Sequence, residues 1–158
     1  ILFATATVTA MVLANWQPSA TQLWLVAFIP LVIASGGNAG NQSATLVITA
    51  LSTGDCKLGD WRRIVRREFA QGALLGLLLS IPGYAIAVAY APTPAEALVI
   101  PATIFSVVLI GSMIGSILPL IFRSLGLDPA LMSNPFVSAL VDVMGILVYM
   151  AIAAMVLT

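Results

Sequence analysis

The sequence has no histidine and a single cysteine, Cys56, among its 158 residues. Without imidazole there is no Ser-His-Asp triad and no histidine metal site. One thiol makes neither an intramolecular disulfide nor a cysteine cluster, and Cys56 reads as a free thiol in a loop. No GxxxxGK[ST] run occurs, so phosphate-binding ATPase machinery is missing too. Charge is scarce: 8% of the residues are Asp, Glu, Lys or Arg, against about 25% in soluble domains. A water-soluble globule of this size could not cover its surface with so few polar groups. Soluble enzymes, nucleic-acid binders and disordered tails are poor descriptions of such a chain. Instead, 61% of the residues are hydrophobic, and they come in long runs.

A hydrocarbon core about 30 Å thick takes roughly 20 apolar residues in a helix. Five stretches read as spans: residues 1–16, 23–51, 69–91, 97–122 and 136–157. The first is short and is read as part of a span rather than a signal peptide, since no A-x-A cleavage site follows. The second is too long for a plain span and has a polar, glycine-rich middle. No alternating pattern of barrel strands appears. The expectation is an all-α integral membrane protein, one transmembrane domain over 1–158, with the second helix interrupted by glycines and amides. Asn15–Ser19, Tyr90–Pro94, Leu125–Pro129 and Ser133–Pro135 punctuate the spans.

The charges sum to zero, but their positions matter more than their sum. Lys57, Arg62, Arg63, Arg66 and Arg67 lie between the second and third spans, and Arg123 follows the fourth. Basic residues favour the cytoplasmic side. Those two connections should be cytoplasmic, with the N-terminus inside and the C-terminus outside. The run WRRIVRRE is read as a topology determinant rather than a nucleic-acid site, and Asp55, Asp60 and Glu68 offset its charge. Glu96 reads as an exposed acid at a helix start, and Asp128 as part of a turn.

Polar groups inside a span cost free energy and mark packing or ion paths. Asp142 lies well inside the last span, with no Lys or Arg on that span to neutralise it. It reads as a cation site or proton relay, or else as a protonated structural acid. Ser35-Gly36-Gly37-Asn38-Ala39-Gly40-Asn41-Gln42-Ser43 lies in the middle of the second span. Gly36 and Gly40 have helix-packing spacing, and Asn38, Asn41 and Gln42 bring amides that demand partners. Pro30 is placed to kink the helix. The run is either a broken or tightly packed helix lining a pore, or a packing motif with interhelical amide bonds. Gly72/Gly76, Gly111/Gly115 and Ser112/Ser116 read as helix contacts.

One carboxylate per chain is too little for a dry calcium cage and too hard for a soft metal. It suits Mg²⁺, which keeps several waters and binds through one or two carboxylates. A symmetric dimer would set two copies of Asp142 at a shared axis. Na⁺ or proton coupling stays open on this chemistry.

The run from Pro30 to Gln42, with Gly36-Gly37-Asn38-Ala39-Gly40-Asn41-Gln42, resembles the P-x₅-G-G-N-x-G-x-Q signature of the MgtE family of magnesium channels. The segment Asn134-Pro135-Phe136-Val137-Ser138-Ala139-Leu140-Val141-Asp142-Val143-Met144-Gly145 is similar to that family's fifth helix. The resemblance extends over the whole chain. It implies an inner-membrane homodimer embedded in lipid, binding no nucleic acid and catalysing no reaction, with a Mg²⁺-selective pore on the dimer axis. Mn²⁺ or other divalent ions are further candidates. Asp142 would be the main pore ligand, acting largely through the ion's waters. The position of Ser138 would offer a backbone carbonyl, and Asn134 would lie near the cytoplasmic pore end. Gly36, Gly37, Asn38, Gly40 and Gln42 would belong to the pore and its packing. Family members also carry a cytosolic sensor with paired CBS domains, which these residues do not include. Passive conduction leads. Na⁺- or H⁺-coupled transport of Mg²⁺ and a non-conducting membrane scaffold are the competing readings.

Overall fold

A computed structural model describes residues 2–157, save the side chain of Met132. The described chain is helical: α1 (Leu2–Asn15), α2 (Ile29–Thr53), α3 (Trp61–Ala87), α4 (Val99–Ser124) and α5 (Pro129–Leu157). Tight 3₁₀ segments, Ala20–Phe28, Leu58–Asp60 and Glu96–Leu98, lead into α2, α3 and α4. Together with those leads, four helices are long and apolar enough to cross a membrane; α1 is apolar but shorter. At 1.5 Å per residue its 14 residues reach only about 21 Å. The expected first span thus becomes a short apolar helix, and Ile1 lies outside the described residues.

Several boundaries differ from the sequence reading. The backbone of α2 runs unbroken through the glycine–amide stretch. Gly36–Gly40 thins the helix without interrupting it. Pro30 sits in the first turn of α2, where its missing N–H has no helical partner to lose. The change of backbone comes just before it, where the 3₁₀ segment ends at Phe28. WRRIVRRE is helical rather than loop: α3 starts at Trp61, since Trp61, Ile64, Val65 and Phe69 fall at helical spacing. Likewise Asn134-Pro135 lies inside α5, which begins at Pro129. There Pro135 forfeits one backbone bond without ending the helix.

α4 is the hub. Both α2 and α3 pack on it, while α2 and α3 scarcely touch each other. The two glycine pairs of the sequence meet: Gly36 faces Gly111, and Gly40 faces both Gly111 and Gly115. A Cβ on Gly111 would stand 2.5 Å from the Gly36 carbonyl oxygen, so only glycine allows these backbones to approach so closely. The register makes α2 and α4 parallel. α3 runs antiparallel to α4, with Gly72 against Ser112 and Gly83 against Ile104. Ser80 Oγ strengthens that seam by donating 2.8 Å to the Pro101 carbonyl. α5 is antiparallel to α2, with Gly40 against Val137 and Gly36 against Val141.

At the end where α2 and α4 begin, Tyr149 is fully buried and its hydroxyl donates 2.7 Å to the Leu25 carbonyl. Trp16 packs edge-on against the Tyr149 ring, and Phe28 against Tyr90. All six basic residues lie at the opposite end.

Candidate functional site

The polar run of α2 distributes itself over three faces, as about 100° per residue requires. Gly36 and Gly40 face α4, and Gly37 and Asn41 face α5. Asn38 and Gln42 are exposed and line the groove beside α3. On α5 the matching stripe is Asn134, Ser138 and Asp142, four residues apart and so one turn apart.

Two rungs join α2 to α5. Asn41 Nδ2 donates 3.0 Å to Ser138 Oγ. One turn away, Asp142 Oδ1 lies 4.0 Å from the place a Cβ on Gly37 would occupy. Glycine at 37 thus leaves the carboxylate free of a covering side chain. Among the described residues, the Asp142 carboxylate has neither a hydrogen bond nor a basic partner. Asp142 is 13 residues past the start of a 29-residue helix, near mid-depth of the span.

Asn41, an amide in need of a partner on the sequence, finds one for its Nδ2 only. The Asn41 Oδ1 oxygen is buried with no partner. An orphaned acceptor one turn from a bare carboxylate is an incomplete set of oxygen ligands. Hard cations seek such oxygens. The residues present therefore fit a hydrated divalent ion: one carboxylate and one amide oxygen. No group of three or more His, Cys, Asp or Glu occurs among the described residues, so the chain by itself makes no dry multi-carboxylate cage.

Other predicted residues lie apart from this pair. Asn134 is exposed at the cation-rich end of α5. The hydroxyls of Ser35, Thr45 and Thr49 turn back onto carbonyls of their own helix at 2.7–2.8 Å, satisfying themselves locally. Glu68, assigned from sequence to the loop, is instead a buried residue of α3, and its Oε2 accepts a 2.7 Å bond from Ser43 Oγ. Nothing in the sequence flagged Tyr149 beyond its aromatic character.

The fold and the site together define a polytopic helical membrane protein whose glycine-thinned helix lies beside an unpaired carboxylate. Residues 29–152 match the family model of MgtE, described as a divalent cation transporter. The chain is 41% identical, over 99% of its length, to the magnesium transporter MgtE of Thermus thermophilus, covering 35% of that protein. It is 31% identical to the magnesium transporter MgtE of Bacillus subtilis over 82% of this chain and 29% of that one. The Enterococcus faecalis magnesium transporter MgtE is 27% identical over 93% of this chain and 33% of its own. The chain belongs to the MgtE family and spans about a third of the length of these curated relatives.

Proposed function

We propose that this chain is a pore-forming membrane domain that conducts Mg²⁺ passively, as a homodimer, along a path lined by Asp142. The observation that carries this reading is the unpaired Asp142 carboxylate beside Gly37, with the orphaned Asn41 oxygen one turn away. An isolated charge at that depth is costly unless water or a cation attends it. The related magnesium transporters support Mg²⁺ as the cargo; Mn²⁺ and other divalent ions are weaker candidates.

In this mechanism Asp142 holds the ion through its retained waters, since Mg²⁺ dehydrates reluctantly. The Ser138 backbone carbonyl and Asn41 orient those waters. The second copy supplies a second carboxylate across the axis, doubling the negative charge. Gly36 and Gly40 set the α2–α4 distance and so the position of Gly37. Asn134 lies toward the cytoplasmic mouth. The protein sits in the cell membrane with its N-terminus inside and C-terminus outside, and a cytosolic sensor domain regulates it when attached.

Mg²⁺ uptake into liposomes loaded with a Mg²⁺ dye tests this. Wild-type protein should conduct down an applied potential, and Asp142→Ala should lose at least about 100-fold of the flux. Wild-type flux in Asp142→Ala would overturn the assignment. Flux that vanishes without a Na⁺ or proton gradient would favour coupled transport, and no wild-type flux would favour a scaffold.

A further inference from the structure

Because α2 and α3 both lean on α4 and scarcely touch each other, a groove runs between them. Two of its hollows, about 420 and 300 Å³, share Leu46 and Glu68. Glu68 stands where they meet. It is 5% exposed, in a helix of membrane-spanning length. Its Oε2 takes the Ser43 hydroxyl at 2.7 Å. Its Oε1 has no hydrogen bond and is not sealed off, so it opens onto the groove. Among the described residues no lysine or arginine forms an ion pair with it. A buried carboxylate carries its charge only with a compensating partner, and one hydroxyl does not supply a charge.

We propose that Glu68 is a second divalent-cation position, off the Asp142 path and toward the cation-rich end of the helices. The inference rests on the reading of this chain as a route for divalent ions. The 300 Å³ hollow has leucine walls, and Glu68, Gln42, Gln71 and Ser112 supply its polar groups. These are oxygen-bearing side chains on α2, α3 and α4, of the hard kind that Mg²⁺ accepts. A hexahydrated ion needs roughly 200 Å³ at about 30 Å³ per water, so the hollow takes it with its waters. Below it, Asp55 and Asp60 face Arg63 and Arg67. Gln42 is also a wall of the α2 face that carries Asn38. The ion at Glu68 would thus wait beside the amide run of α2.

Mn²⁺ titration of the detergent-solubilised chain, read by loss of the free-ion electron paramagnetic resonance signal, tests the site. Asp142→Asn is the background, so that the other position is silent. This protein should still bind Mn²⁺, displaceable by MgCl₂. Adding Glu68→Gln should weaken binding at least tenfold while keeping an acceptor for Ser43. Ser43→Ala, which keeps the carboxylate, should stay within threefold of its parent. No binding in Asp142→Asn, no effect of Glu68→Gln, or an equal loss in Ser43→Ala would each overturn the site. The liposome assay separates the two readings: absent wild-type flux overturns the channel, while Mn²⁺ binding at Glu68 is measured independently of it.

Discussion

Asn41 shows how much one side chain can carry. Its Nδ2 is spent on Ser138, and its Oδ1 is buried without a partner. Asn41→Ala removes one ordinary hydrogen bond, which costs about 1 kcal/mol net, and also deletes the orphan. If the oxygen is a strain with no use, relieving it offsets the lost bond and flux is unchanged. If it orients the ion's waters, flux falls about tenfold and the half-saturating Mg²⁺ concentration rises. Dye-based uptake across a Mg²⁺ series, with thermal unfolding as the folding check, reads both quantities. The expected outcome is the second. The position of Asp142 draws attention in the sequence because a bare acid in an apolar run stands out by composition alone. Asn41 draws less, because three amides in five residues do not say which one turns toward α5. Only the register of the two helices does. Glu68 was misplaced for a related reason: it follows four arginines, and composition gave no sign that the helix had already begun.

At the scale of the helix, the glycine seam between α2 and α4 should be the least tolerant feature of the fold. The sequence displayed Gly36/Gly40 and Gly111/Gly115 as separate packing motifs; spacing marks a face but cannot name its partner. The structure pairs them across one interface, backbone to backbone. A methyl on Gly111 meets the Gly36 carbonyl at 2.5 Å, and that backbone atom yields only if a whole helix shifts. Overpacking costs about 1–3 kcal/mol where side chains can yield, and backbone yields less. Gly111→Ala should therefore lower stability by about 3 kcal/mol or more, and disturb flux beyond its effect on folding. Gly59→Ala is the control. Nothing lies within 4 Å of its Cβ position, so its melting temperature should match wild type. Thermal unfolding in detergent distinguishes the pair, and equal melting temperatures would mean that the seam is looser than drawn. Four of the five apolar runs fall on helices long enough to cross a membrane, whereas the ends of those runs do not match the helix ends. Trp61 and Pro129 start helices where charge and proline had suggested connections: arginine is a good helix former, and Asp128 caps α5 by accepting from the Ala130 N–H, with Pro129 in the first turn.

For the molecule as a whole, orientation follows from where the helix ends meet. α2 and α4 run together and α3 and α5 run back, so Lys57, the arginines of α3 and Arg123 converge on one end. The other end, from Val88 to Ala95, holds no basic residue. On the positive-inside rule the basic end is expected in the cytoplasm. The chain carries its own reporter, since Cys56 lies at the basic end. Burial first, then the charges of Asp60 and Asp55, push its thiol pKa above the usual value. The reactive thiolate is therefore scarcer than in a free cysteine at the same pH, and labelling should run near pH 8.5, where the fraction is larger. Intact cells expressing the chain should show no reaction of Cys56 with a membrane-impermeant maleimide until the membrane is permeabilised. In a Cys56→Ser background, Thr93→Cys should behave the other way, reacting from outside in intact cells. If Cys56 reacted from outside and the cysteine at 93 did not, the domain would sit inverted. The hollow at Asp55 and Asp60 would then face the exterior.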